Sequence, residues 1–136
     1  MKRNIISVVV GLFSAIIIFV IAETINSALH PAPQNLDYGD SIAVKTFYEN
    51  QPLTLWLLVL VGWIIGSVLC GFLIKLISKN DNEKLPIIAG IILTLSAIAN
   101  FFSLPHPTWF IIVGLIIFIP STLLGHKFYK LKTNGG

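Results

Sequence analysis

The chain has few charged residues and a single cysteine, and both shortages limit what it can be. Of its 136 residues, 11% are charged and 55% are hydrophobic, whereas soluble domains carry about 25% charged residues. Water is therefore not the main solvent of this chain. The lone Cys70 excludes an internal disulfide and a CxxC metal or redox motif.

Catalytic and phosphate-binding motifs are also missing. The sequence contains no GxSxG serine, no HExxH pair and no glycine-rich phosphate loop. A metal set of Glu23, His30 and His106 would draw its ligands from three separate segments, so we do not expect one. The chain is therefore predicted not to be an enzyme, with no catalytic residue, no cofactor and no metal.

Long apolar runs are what the chain does contain. About 20 apolar residues are needed to cross the hydrocarbon core of a bilayer. Four stretches have nearly that length or more, at about 4–29, 53–76, 85–104 and 108–127. They predict an all-α integral membrane protein, a single-domain bundle of four transmembrane helices over residues 1–136, with a loop at 30–52.

The basic residues orient these spans. Cytoplasmic loops concentrate lysine and arginine, so we predict that both termini are cytoplasmic, which leaves only Lys45 on the external side. The residues on the cytoplasmic side are then Lys2, Arg3, Lys75, Lys79, Lys84, Lys127, Lys130 and Lys132. These charges flank apolar runs rather than forming a patch, so we expect no nucleic-acid partner.

The external loop is predicted to contain a short interfacial helix. Asp40 is a suitable N-cap for a helix over residues 41–50. Its membrane-facing side is expected to consist of Ile42, Thr46, Phe47 and Tyr48. Trp56, soon after the loop, is expected at the membrane boundary, where amphipathic rings are enriched.

Small residues predict where the helices pack. Gly62, Gly66 and Cys70 follow at i, i+4 and i+8, with Gly71 beside them. In lipid such residues allow helix backbones to approach closely. The partner is either another helix of this chain or a second copy of it, so the expected partners are the lipid bilayer and a homo-oligomer or other membrane protein.

Polar residues gather in the outer halves of the predicted spans. Glu23 lies inside the first span, and Asn26 and His30 share its helix face at i+3 and i+7. An ionisable group within a span is a functional-site hypothesis by default. The third span contributes Asn100 at a similar depth.

The turn Pro105-His106-Pro107-Thr108-Trp109 lies above these residues. We therefore predict one externally open polar pocket formed by Glu23, Asn26, His30, Asn100, His106 and Trp109. A structural alternative is that Glu23 bonds Asn100 or a histidine and only holds the helices together.

Two functions follow from such a pocket. The first is binding of a small ligand, a lipid or a partner protein. The alternative is a small oligomeric transporter or channel that uses Glu23 as a proton- or cation-coupling group. Transport needs polar groups along the whole path, and below Glu23 they are scattered, which favours binding.

Several of these features resemble a group of small, uncharacterised bacterial four-span membrane proteins. They are Glu23, the His30-Pro31-Ala32-Pro33 exit, Asn100, the Pro105–Trp109 turn, and Pro120 with Gly125. The resemblance implies a four-span fold in the bacterial inner membrane and no particular activity.

Overall fold

The computed structural model describes the backbone of residues 1–134 and the side chains of residues 1–129. Within that part the secondary structure is entirely helical. The helices are α1 Lys2–Leu29, α2 Ser41–Glu49, α3 Leu53–Ser78, α4 Lys84–Ser103 and α5 Thr108–Asn134.

Four of these helices are long and apolar enough to cross a membrane: α1, α3, α4 and the Thr108–Tyr129 part of α5. The predicted all-α four-span membrane bundle is thereby confirmed. Helix α5 continues beyond the predicted end at residue 127 to Asn134. Lys130 and Lys132, two of the predicted cytoplasmic charges, lie outside the described side chains.

Helix α3 is the centre of the bundle. It packs along α1 on one side and along α5 on the other, α4 packs on α5, and α1 touches α4 only slightly. Because the four long helices alternate in direction, the start of α1, the end of α5 and the 79–83 turn lie at one end of the bundle, here called the terminal end. Loop 30–52 and turn 104–107 lie at the other, the loop end.

The small residues of α3 are used for packing within the chain. A Cβ atom on Gly66 would lie 2.6 Å from the Phe19 ring of α1, and one on Gly71 would overlap the Thr122 carbonyl oxygen of α5. Gly62 meets Ala22, and the fully buried Cys70 lies against Gly11. The small residues of α3 therefore pack against α1 and α5 of the same chain, which is one of the two packings that the sequence allowed.

The short loop helix forms where it was predicted, because Asp40 Oδ1 accepts from the backbone N–H groups of Ile42 at 3.0 Å and Ala43 at 3.2 Å. Of the predicted membrane-facing residues, Ile42 and Thr46 are exposed, whereas Phe47 and Tyr48 are half-buried against the protein. Val44 is buried and Tyr48, one turn later, is half-buried, whereas Ile42 is 76% exposed. The i, i+4 pair of Val44 and Tyr48 faces the bundle, so Ile42 and Thr46 project outward.

At the terminal end, polar contacts attach the α3–α4 turn to α5. His126 Nε2 lies 3.1 Å from the Asn80 carbonyl oxygen, and Lys75 forms an ion pair with Asp81. Both His126 and Lys75 are buried. From the sequence, Lys75 was predicted only as a cytoplasmic charge and His126 was given no role. Both residues fall within apolar helical runs, and that position could have indicated that they are buried.

Candidate functional site

A cavity of about 320 Å³ opens at the loop end of the bundle. We call it the Glu23 pocket, and residues from α1, α2, α3, α4 and both connecting segments form it. The lining residues are Glu23, Asn26, Ser27, His30, Ala32, Tyr38, Phe47, Tyr48, Leu55, Trp56, Val59, Asn100, Leu104 and His106. Five of the six predicted pocket residues are thus brought together.

Trp109 is the exception, and its neighbour explains why. Successive residues of an α-helix are rotated by about 100°. Phe110 is fully buried in the first turn of α5, so Trp109 points away and is 39% exposed. Trp56, by contrast, was not predicted to line the pocket and does line it. It is 5% exposed, so near the start of α3 its ring packs inside the bundle.

The Asn26 side chain joins α1 to the start of α3. This buried amide donates from Nδ2 to the Leu55 carbonyl oxygen at 3.3 Å. Its Oδ1 atom then faces His30 Nδ1 at 3.0 Å. Since Oδ1 can only accept, Nδ1 of His30 must carry a hydrogen.

The second nitrogen of His30 extends this connection to α3. Nε2 lies 3.4 Å from the Thr54 hydroxyl. In the neutral ring Nε2 has a lone pair and accepts from that hydroxyl. Asn26 and His30 therefore hold the pocket wall together through contacts with Leu55 and Thr54.

Glu23 differs from Asn26 and His30 in its contacts. Its side chain is exposed, and among the described side chains none forms a hydrogen bond or ion pair with its carboxylate. Asn100, its expected partner, is half-buried and lines the pocket without bonding Glu23. The alternative in which Glu23 locks the helices through Asn100 is therefore wrong. The exposed carboxylate faces the open cavity.

His106 lies in an aromatic surrounding at the edge of the pocket. Its ring centroid is 5.5 Å from Trp56, 5.1 Å from Phe101 and 5.3 Å from Phe110. Nδ1 lies 2.6 Å from the Leu104 carbonyl oxygen, so this nitrogen donates. Burial lowers the pKa of His106, and the bond to Leu104 partly opposes that change.

The aromatic wall of the pocket was the part that sequence reasoning missed. Tyr48 and Trp56 have centroids 6.2 Å apart, and Phe47 and Tyr38 also line the cavity. A signal for Trp56 was present. Trp56, Leu60 and Trp63 follow at i, i+4 and i+7, the spacing of one buried helix face, and all three are buried.

Below the pocket the bundle interior is filled by three rings, which we call the ring layer: Phe19, Trp63 and Phe118. Their centroids are 6.4 Å apart for Phe19 and Trp63, 6.3 Å for Phe19 and Phe118, and 5.3 Å for Trp63 and Phe118. Phe19 lies one helical turn, about 6 Å, below Glu23. On α4, Leu93 joins the same buried core. The pocket is therefore closed from beneath.

Within the described residues, no group of three or more His, Cys, Asp or Glu side chains is arranged to hold a metal ion. The polar groups of the pocket are of several different kinds: one carboxylate, two amides, two imidazoles and several hydroxyls. Such a set suits hydrogen bonding to one small molecule.

Comparison with known proteins adds no family, relative or fold to this description. No protein-family model, no curated protein sequence and no solved structure matches this chain. The basis for inferring a function is therefore the chemistry of the Glu23 pocket.

Proposed function

We propose that this chain is a non-enzymatic membrane protein that binds a small ligand in the Glu23 pocket. The volume of about 320 Å³ supports this, because it lies at the lower end of the range for small-molecule sites, about 300–1,000 Å³. The lining of the pocket also supports this proposal, because aromatic side chains surround a few polar groups that have free hydrogen-bonding capacity.

The ring layer is the observation that favours binding over transport. A transported solute would have to cross the bundle interior, and Phe19, Trp63 and Phe118 occupy it in mutual contact directly below the pocket. Packed side chains in such an interior leave few voids. The alternative, a channel or transporter that couples through Glu23, would need these rings to separate.

We further propose that the pocket opens on the external face of a bacterial inner membrane. Eight of the nine basic residues lie at the terminal end or in helix segments adjoining it, and Lys45 alone lies at the loop end. Positive charge concentrates on the cytoplasmic side of membrane proteins. The bacterial setting rests on the resemblance to small bacterial four-span proteins.

A matched set of three phenyl compounds tests ligand binding: phenethylammonium, 2-phenylethanol and 3-phenylpropionate. They share one aromatic ring and differ in charge. The purified protein in a neutral detergent is heated with each compound, and we expect at least one to raise the melting temperature. Stabilisation follows because a ligand that binds only the folded state shifts the equilibrium towards it.

Variants that block the pocket make this result specific. Ser27→Trp and Ala32→Trp each place a large ring at the opening and should abolish the response. Thr24→Trp is the control, since Thr24 is an exposed α1 residue that does not line the pocket. A response that survives in both blocked variants, or no response to any compound in the wild type, would refute ligand binding in this pocket.

A further inference from the structure

Glu23 differs from every other acidic residue of the chain. There are six acidic residues, and all lie where the structure describes side chains. Glu49 pairs with Lys45, Glu83 with Lys127, and Asp81 with Lys75. The remaining two accept backbone N–H groups, Asp37 from Gly39 and Asp40 from Ile42 and Ala43.

Only Glu23 lacks a partner among these described side chains, and it lies within a membrane-spanning helix. It lies six positions before the end of α1 at Leu29, a rise of about 9 Å. Among the described side chains, no lysine or arginine lines its pocket. A ligand that displaced water from this carboxylate would have to supply the compensating positive charge, because an unpaired charge is costly to desolvate.

The aromatic wall of the pocket is a second feature that suits a cation. The rings of Tyr48 and Trp56 both line the cavity, and aromatic rings attract ammonium groups electrostatically. Glu23 is near enough to affect this wall. The pKa of Tyr48 is raised by burial first, then by Tyr38 and by the negative charge of Glu23.

Uncharged acceptors complete the surroundings. The Asn100 amide and the Ser27 hydroxyl line the same cavity, and neither makes a side-chain hydrogen bond within the described part of the chain. A primary ammonium has three N–H donors. Glu23 can accept one of them, and the oxygens of Asn100 and Ser27 are available for the others.

We propose that the Glu23 pocket recognises an alkylammonium group, with the ammonium on Glu23 and the attached carbon skeleton against Tyr48 and Trp56. This proposal rests on the proposed function, since it names the chemical class of the ligand for that pocket. The ammonium belongs either to a lipid headgroup that enters from the outer leaflet or to a soluble amine.

The same three phenyl compounds test the class of ligand. We expect phenethylammonium to bind about ten-fold or more tightly than 2-phenylethanol or 3-phenylpropionate, as a charge-assisted hydrogen bond contributes on that scale. Affinity is measured by quenching or enhancement of tryptophan fluorescence during titration, because Trp56 lines the pocket.

Glu23→Gln should remove the preference for ammonium, and its folding should be unaffected because no described side chain hydrogen-bonds or pairs with Glu23. Glu49→Gln is the matched control. It removes the same charge at the same end of the bundle but outside the Glu23 pocket, where Glu49 pairs with Lys45 at 3.8 Å. This control should retain the ammonium preference.

The results separate this inference from the proposed function. Equal binding of all three compounds, or an ammonium preference that survives Glu23→Gln, overturns the ammonium assignment while leaving ligand binding intact. Binding by none of them overturns both. Where the preference is found, nanodiscs identify its source: phosphatidylethanolamine, but not phosphatidylglycerol, competes if the ligand is a lipid headgroup, and neither competes if it is a soluble amine.

Discussion

The imidazole of His106 and the ring of Phe110 lie nearly parallel, 18° apart with centroids separated by 5.3 Å. Trp56 and Phe101 contact the same imidazole from other sides. This arrangement favours the neutral ring, because burial disfavours the charged form and the nearest neighbours are uncharged. The histidine between the two prolines is thus both part of a turn and a wall of the pocket.

A titration of His106 tests this environment. The pKa lies below the ordinary value of 6.5, chiefly because of burial. The unfolded chain therefore binds more protons than the folded protein just below that value, and the free energy of unfolding falls as the pH is lowered through it. His106→Phe keeps an aromatic ring and removes the titration.

We expect the melting temperature of the wild type to decrease between about pH 7.5 and about pH 5.5, and to decrease less in His106→Phe. Thermal unfolding in detergent over this range is the measurement. An NMR titration of His106 in the same samples should give a midpoint below 6.5. Identical pH slopes in the two proteins would contradict the prediction.

The crossing of α3 and α5 depends on two facing glycines. A Cβ on Gly71 would overlap the Thr122 carbonyl oxygen, and one on Gly125 would overlap the Val68 carbonyl oxygen. Gly71→Ala should therefore force the helices apart and lower the free energy of unfolding by about 1–3 kcal/mol, as overpacking does. Unfolding by increasing SDS in mixed micelles measures the change.

Gly39→Ala is the matched control for that experiment. Gly39 is exposed in the loop with a negative φ, and an added Cβ would meet only the side chain of Asp37, at 3.2 Å. Its effect should stay within about 0.5 kcal/mol. If Gly71→Ala were equally mild, the close approach of α3 and α5 would be doubtful.

The Thr122 hydroxyl connects α5 to α4. It lies 2.8 Å from the Pro86 carbonyl oxygen, across the helix interface, and is fully buried. Thr122→Val keeps the shape and removes the donor, so the free energy of unfolding should fall by about 1 kcal/mol. SDS unfolding again measures it.

Ser96→Ala provides the comparison for Thr122→Val. Ser96 is exposed, and its hydroxyl donates to the Ile92 carbonyl oxygen of its own helix at 3.0 Å. Loss of that bond should change stability by less than about 0.5 kcal/mol. Equal losses in the two variants would mean that the α4–α5 bond contributes nothing of its own.

Cysteine labelling in intact cells tests the proposed orientation. Gln34→Cys lies in loop 30–52 and Asn82→Cys in the 79–83 turn, and both positions are exposed. A membrane-impermeant maleimide should label Gln34→Cys at once and Asn82→Cys only after the membrane is permeabilised. The native Cys70 is fully buried and should remain unlabelled in both. The reverse pattern would place the pocket in the cytoplasm.

Local features of this chain were predictable from the sequence because they depend on neighbours a few residues apart. The four apolar runs predict the spanning helices by length alone, and Asp40 predicts the start of α2 because an N-cap needs only the next three residues. The convergence of Glu23, Asn26, His30, Asn100 and His106 on one pocket also followed, since depth in a membrane helix can be counted from its end.

Rotation of side chains about the helix axes was harder to predict. Trp109 was predicted to line the pocket and does not, whereas Trp56 lines it, because the buried face of an apolar helix depends on the partner helix and not on polarity. In a helix as uniformly apolar as α3 the usual contrast between polar and apolar faces is missing. His126 was overlooked for a different reason, because its hydrogen-bond acceptor at Asn80 is distant in sequence.

Four helices that can span a membrane, and a group of polar residues in their outer halves, could be predicted from the sequence because hydrophobic length and depth in a helix can be counted along the chain. Only the folded structure shows that no described side chain pairs with Glu23 and that a layer of three rings closes the bundle beneath it. Those facts depend on which helices become neighbours, and helix packing in lipid is decided by the fit of small and aromatic side chains across interfaces.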